Sequence, residues 1–482
     1  MNTKKSLVMV AGLAALLGGR TLGHAADAVA SGNIVNNNGN IVNVDGFFKE
    51  VGELSYVEAD DKRDKTRIYL FNTEDRIQLD GVVDGTKFNV ETAWGGEADY
   101  TSNNQINLLE YSAQVPTLFD GVTIFAGQFK NPANRDSAED TSHSFFTEKD
   151  MLQQLFFNAG YDEGVGLHVK EGKFDALVGT LAGAPDLPQR YLPELLNLPM
   201  MFARIGIDSI GDDPFHAKGW GLARPDSTQY ALHLNGMYMD DSNAGHSTNE
   251  SLNSGYFTAP SANSYYGNVL LSSLWNPYLG KTNAGAAAEV KSTYTQASVD
   301  GQLRIPVGSE STLNLGAQAT WSEYTVGNLK NAVKIDGTVI GSAVLDLLGA
   351  QAYAALESGQ FDLAGRVVGV VPSAQLMGLN ATPIAANKAY TQILDNAPIW
   401  DVTFPSIGWH VSKSVKITAE TTFEFNAPVD RADDGSYLIA EMPSQVTNAN
   451  PAKIGVPPKQ PNYRFEATPI VPIGRMEFQF LF

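Results

Sequence analysis

The clearest regularity in the chain is an alternation of apolar and polar positions with period two. Over 292–322, Thr293, Thr295, Ala297, Val299 and Leu303 fall on one face of an extended segment. Gln296, Ser298, Asp300, Gln302 and Arg304 fall on the other. After a short connection at Pro306–Ser309, Leu313, Leu315, Ala317, Ala319 and Trp321 alternate with Asn314, Gln318, Thr320 and Ser322. Successive side chains of a strand point to opposite faces, so the pattern predicts a β-hairpin with one apolar and one polar face.

Segment 415–426 says more about what those faces meet. Val415, Ile417, Ala419, Thr421, Phe423 and Phe425 share one side, and Lys416, Thr418, Glu420, Thr422, Glu424 and Asn426 the other. Three ionisable groups on one strand face are costly in a packed core and ordinary beside water. The pattern therefore fits a barrel in lipid better than a soluble sandwich: the apolar face turns outward and the polar face lines an aqueous lumen.

The connections between strands follow a second rhythm. Counting back from the last strand, the connection at 427–462 is long and that at Ser412–Ser414 short. Further upstream, short connections fall at Pro306–Ser309, Glu171–Lys173, Pro116–Gly121 and 81–85, and long ones at 131–160 and 95–103. Short periplasmic turns alternating with long extracellular loops are the mark of bacterial outer-membrane barrels. About fourteen strands can be placed in this way. The stretch 327–398 is ambiguous, with a helix-like composition over Val344–Leu356 and room for two strands in 361–378. The expectation is an all-β, antiparallel transmembrane barrel of 14 to 18 strands, most simply sixteen, over 44–482.

The N-terminus changes the picture by supplying a route of export. Lys4 and Lys5 precede the apolar run Leu7–Leu17, and the small residues Ala25, Ala26 and Ala28 follow, the arrangement of a signal peptide over 1–25. Arg20 interrupts the run, which argues against a membrane anchor. Residues 26–43, rich in Asn and Gly, read as a flexible lead-in or the edge of a first strand. No other stretch approaches the roughly 20 apolar residues of a spanning helix, so a membrane location requires a closed barrel. There is no cysteine, which excludes Cys-ligated metal and covalently attached haem in this chain. The net charge of −20 speaks against nucleic acid as a partner.

The final strand, Arg475 to Phe482, places Phe478, Phe480 and Phe482 on one face and ends on an aromatic residue. It resembles the terminal strand recognised by the outer-membrane assembly machinery. Val122-Thr-Ile-Phe-Ala-Gly-Gln-Phe-Lys-Asn-Pro132, together with Glu163-Gly-Val-Gly-Leu-His168 and Ala176–Gly183, resembles the phosphate-selective porins (the O and P type) of Gram-negative outer membranes, or a related general porin. The resemblance covers 121–183 and the last strand. It implies a 16-stranded, usually trimeric barrel narrowed by an inward-folded loop, here 131–160. Lys130 would sit at the base of that loop, and Phe145, Phe146, Leu152, Leu155, Phe156 and Phe157 would pack it against the wall or in trimer contacts. Arg135 and Lys149 would face solute.

Charge departs from that family. The lumen-facing candidates Lys87, Lys130, Lys170, Arg204, Arg304 and Lys416 share their faces with Glu91, Asp300, Glu420 and Glu424. A phosphate pathway wants an unbroken run of cations, so the mixed wall points to general diffusion of small ions and hydrophilic solutes. No cofactor or covalent chemistry is called for: there is no His-Glu-x-x-His pair, nucleophile elbow or phosphate-binding Gly loop. Asp430, Asp434 and Glu441 come close to a twelve-residue calcium loop, but Ala432 stands at its third position and a solvated acidic loop is the simpler reading. Trp94, Trp275, Trp321, Trp400 and Trp409, near predicted strand ends, suit the aromatic girdles of a barrel in outer-membrane lipid. Two other functions fit a barrel: a sheath around a partner such as a multihaem cytochrome, and a surface adhesin or receptor whose loops carry the activity.

Overall fold

The structure, a computed structural model, describes residues 32–37, 40–57, 65–94, 107–135, 137–139, 141–147, 152, 161–181, 198–211, 213–241, 291–327, 334–335, 338–378, 398–425, 428–431, 437–438, 464–467 and 470–481. Sixteen long strands form one antiparallel barrel. They are β1 Asn40–Val57, β2 Lys65–Val83, β3 Thr86–Trp94, β4 Asn107–Pro116, β5 Val122–Lys130, β6 Tyr161–Glu171, β7 Phe174–Leu181 and β8 Leu198–Asp208. The second half comprises β9 Gln229–Asp241, β10 Lys291–Val307, β11 Ser311–Gly327, β12 Thr338–Ser358, β13 Phe361–Gly378, β14 Ile399–Ser412, β15 Val415–Phe425 and β16 Val471–Leu481. Each pairs with its sequence neighbours, and β1 pairs with β16 from Phe47↔Leu481 to Ser55↔Ile473, which closes the sheet. Inside this seam Lys49 meets Glu477 at 3.0 Å and the Arg475 guanidinium meets Glu53 at 3.0 Å. Gly32–Asn37 forms a short hairpin against the start of β1.

The barrel is turned inside out relative to a soluble protein. Leu79, Ile124, Leu167, Val178, Ile205, Leu234, Leu348 and Ile407 are exposed on its outer face, while Lys49, Arg76, Glu91, Asp300, Gln318, Thr403 and Glu477 are buried on the inner one. A soluble monomer rarely leaves apolar side chains exposed around a whole circumference, whereas a barrel in hydrocarbon must. Trp321, Trp400, Phe361 and Trp409 are exposed on the outer face, and Phe361 and Trp409 stack with ring centroids 6.5 Å apart beside the turn that joins β12 and β13. No helix among the described residues is long and apolar enough to cross a membrane.

Six short connections (β2–β3, β4–β5, β6–β7, β10–β11, β12–β13 and β14–β15) lie at one end, called here the short-turn end, beside the end of β16. Two expectations are corrected. Val344–Leu356 is part of a strand, β12, and 361–378 is a single strand, β13, not two. Leu347, Tyr353 and Ala355 of β12 face inward, and Tyr353 and Ala355 pack against Phe146 from a segment inside the lumen. Between Leu347 and Ala355 Gln351 is the one polar side chain of that face, which weakens the alternation and leaves the Leu/Ala composition of a helix.

Candidate functional site

The chain enters the lumen twice, from opposite ends. The first entry follows β5. Asn131 Oδ1 accepts the Ala133 N–H at 3.0 Å, and the Ser137 hydroxyl donates to the carbonyls of Asn131 at 2.7 Å and Asn134 at 2.8 Å. Asn and Ser side chains that bond nearby backbone favour such turns, and this one bends the chain off the wall. Residues 131–147 then cross the barrel. Asn134 donates to Asp300 on β10 at 3.4 Å. Beyond a 3-10 turn at Thr141–His143, the Ser406 hydroxyl on β14 donates to the Phe145 carbonyl at 2.9 Å and Lys416 on β15 to the Ser144 carbonyl at 3.0 Å. On β1, Lys49 donates to the Thr147 carbonyl at 2.7 Å, and Glu420 on β15 accepts from the Thr147 hydroxyl and N–H. Phe146 lies under the Arg366 guanidinium, 4.2 Å from its ring centroid.

The second entry is the connection at 209–228 between β8 and β9. It lies at the short-turn end, where the alternation of turn lengths calls for a tight turn. Asp208 Oδ1 accepts the N–H groups of Ile210 and Gly211, and Gly211 takes a φ of +76° that suits glycine. The chain then rises into the lumen. Phe215 meets Phe125 and Phe129 on β5, with centroids 4.9 and 5.3 Å apart, and Phe202 on β8 lies 6.2 Å from Phe125. The wall makes room for these rings with glycine: a Cβ on Gly166 would stand 2.4 Å from Phe125 and one on Gly164 2.9 Å from Phe129. This is the physical content of the Gly-x-Gly strand at 163–168.

The two inserted segments meet. The Ala217 N–H donates to the Ala138 carbonyl at 3.1 Å and the Trp220 N–H to the His143 carbonyl at 2.9 Å. The Trp220 ring lies between those of His143 and His410, at 4.9 and 4.6 Å, with the Lys416 ammonium 4.6 Å from its centroid. Farther along, Arg304 donates to the carbonyls of Leu222 and Ala223 at 3.2 and 3.1 Å. Sequence reasoning missed this element. The signal was Phe215 and Trp220 in a stretch where only a turn was needed.

The charged residues expected to face water are mostly occupied. Lys130 is buried and donates to the Glu139 carbonyl at 3.3 Å. Lys170 pairs with Asp175 and Asp208, both at 3.1 Å. Arg204 is buried beside His233, and Arg304 bonds Gln229 and Asn314 as well as the inserted connection. Lys416 lies 3.5 Å from Asp362, and Glu420 is 3.6 Å from Arg475. Arg135 and Glu424 are buried. Lys87 is the exposed one, 3.9 Å from Asp213. On the last strand, Phe478 and Phe480 are half-buried on the outward face. Lys149, Asp434, Glu441, Phe482, Leu155, Phe156, Phe157 and Trp275 lie outside the described residues, as do the side chain of Asp430 and the signal region.

His216 locks the inserted connection to the wall. Its Nε2 lies 3.2 Å from Glu110 on β4 and 3.3 Å from Asn89 on β3. Burial opposes its protonation, but the Glu110 carboxylate, with help from Asp213 and against Lys130, holds its pKa up at about 9. The charged form is favoured in the folded state. Its stabilisation is therefore fully present below the ordinary imidazole value of about 6.5 and is lost as pH rises through about 9. Tryptic cleavage at Lys218 and Arg224 should accelerate across that upper range, and His216→Asn should remove the pH step. A flat cleavage rate in the unaltered protein would contradict this.

No protein-family model matches the chain, and no curated protein does. Among solved structures it is similar to OmpT, an outer membrane protein of Vibrio cholerae, with a TM-score of 0.49 and 9% identity over 94% of this chain and 100% of that one. It is also similar to the anion-selective porin from Comamonas acidovorans, with a TM-score of 0.49 and 10% identity over 92% of this chain and 100% of that one. The outer membrane channel DcaP of Acinetobacter baumannii gives a TM-score of 0.47 and 10% identity over 93% and 99%.

Proposed function

We propose that the chain is an outer-membrane porin that lets small hydrophilic solutes and ions diffuse through a narrowed pore. The observation that carries this reading is the inverted barrel, apolar outside and polar inside, with a cavity of about 520 Å³ left beside the two inserted segments. In this reading 1–25 is a signal peptide, the short-turn end is periplasmic, 131–160 is a constriction loop, and the barrel assembles as a trimer through its outer face. Phe478, Phe480 and Phe482 present the strand on which the assembly machinery acts. Broad selectivity follows from the pairing of lumen cations with carboxylates: Lys170, Lys416 and Lys49 each have an acidic partner within 3.5 Å, and such a wall offers no continuous cationic path to phosphate. The inserted segments occupy space that a sheathed partner protein would need, which favours a channel over a sheath.

Purified protein inserted into a planar bilayer should give discrete, ohmic current steps in potassium chloride. Correctly folded barrels that pass no current would overturn the proposal.

A further inference from the structure

The connection at 209–228 is far longer than its topology needs. The Ser209 N–H donates to the Tyr230 carbonyl at 2.8 Å and the Tyr230 N–H to the Ser209 hydroxyl at 2.7 Å. The two ends of the connection are thus already as close as the two sides of a hairpin, and a tight turn would join them. Long connections without secondary structure of their own are uncommon in compact folds and are usually functional. This one is held at separate points around the lumen: Phe215 on the β5 rings, His216 on Glu110, Ala217 and Trp220 on the first inserted segment, and Leu222 and Ala223 on Arg304. It is a fixed part of the interior.

Its position decides where a solute can pass. The segment 131–147 ends against β14, β15 and β1, and the connection covers the aromatic wall of β5 and the Arg304 side of β10. A cavity beside the connection is bounded by the β1–β4 wall, with Asp80, Lys87 and Gln114 among its residues, by Asp213, His216 and Lys218 of the connection, and by Ser142 and His143 of the first inserted segment. Lys218 is half-buried between two anchored neighbours: Ala217 is bonded to Ala138, and a Cβ on Gly219 would stand 2.7 Å from the His143 carbonyl oxygen.

We infer that the 209–228 connection is a second half of the selectivity filter, entering from the end opposite to the 131–147 segment, and that Lys218 is a specificity-determining residue which it contributes. Solutes pass between the connection and the β1–β4 wall. The inference rests on the porin reading and adds where its filter lies. A charge placed where the pore is narrow, and where low-dielectric walls focus its field, acts on a passing ion far more strongly than one at the open mouth.

The test uses the full chain in planar bilayers. Replacing residues 211–228 with an Asn-Gly turn should raise single-channel conductance severalfold, because the lumen beside β5 and β10 opens. Lys218→Glu should move the reversal potential in a potassium chloride gradient toward cation preference. Lys413→Glu, the same charge change on the exposed turn between β14 and β15, should leave it in place. Should the shortened protein fail to fold, the Lys218 and Lys413 pair still decides. Equal shifts in those two variants, no shift in either, or an unchanged conductance in a folded shortened barrel would overturn the filter and leave the porin reading standing. Current from the shortened barrel alone would make the connection a closed plug and not a filter. Absence of current from every form would remove the porin reading and the filter with it.

Discussion

Leu234→Arg should destabilise the barrel in lipid by about 2–4 kcal/mol, the cost of placing an arginine on the lipid face near the midplane. Leu234 is near the middle of β9, is 62% exposed, and is flanked across the ladder by Ile205 on β8 and Val299 on β10, both exposed on the same face. Nothing polar on those neighbouring positions can receive a guanidinium. Urea-induced unfolding from phospholipid vesicles, followed by the mobility difference between folded and unfolded barrels, measures the loss. Leu118→Arg is the matched control, because Leu118 is fully exposed at the tip of the β4–β5 turn, beyond the strands. Equal stability of the Leu234 variant and the parent protein would mean that this face does not meet hydrocarbon.

Gly166→Leu should abolish folding of the barrel, or nearly so. Overpacking a filled interior costs roughly 1–3 kcal/mol and occasionally more, and here the obstacle includes backbone. Even a Cβ at this position would lie 2.3 Å from the Val178 carbonyl oxygen and 2.8 Å from the Gly179 Cα, as well as 2.4 Å from the Phe125 ring. The larger side chain would also evict Phe125, against which Phe215 docks, so the inserted connection loses an anchor along with the strand pair. Semi-native electrophoresis should show the variant only at its unfolded mobility. Leu167→Ala, one residue along on the outer face, should migrate as the folded form. A normal yield of folded Gly166→Leu would show that the rings do not lie against that wall.

Those two positions also mark what a reader of the chain can and cannot see. Outer-facing residues such as Leu234 are legible because lipid demands an apolar side chain at every second position. The alternation at 415–425 is clear for the same reason, and its inward charges pointed correctly to a polar interior. It is weak on β12, where Tyr353 and Ala355 face the inserted Phe146 and Gln351 alone is polar on the inward face between Leu347 and Ala355. The Gly-x-Gly strand could be noticed but not explained, because its reason is a set of rings contributed by β5: Phe125 stands 41 residues before Gly166 in sequence and directly opposite it across the ladder. The charged residues of the lumen were legible as a group. Their partners were not, since Lys416 and Ser144 or Arg304 and Leu222 share no local pattern and meet only because two segments fold inward.

The seam between β1 and β16 sets an order of events in time. Every other pairing in the barrel wall joins strands adjacent in sequence, so hairpins can form as each pair becomes available. The last pairing brings Phe48 opposite Phe480, across almost the entire chain, and contacts of such high sequence separation are the slow ones to establish. Until they form, the sheet is open and carries two unsatisfied edges, each a template for pairing with another molecule. The chain therefore passes through a long vulnerable interval in which both edges must be kept covered, and the Lys49–Glu477 and Arg475–Glu53 pairs come into being only at its end.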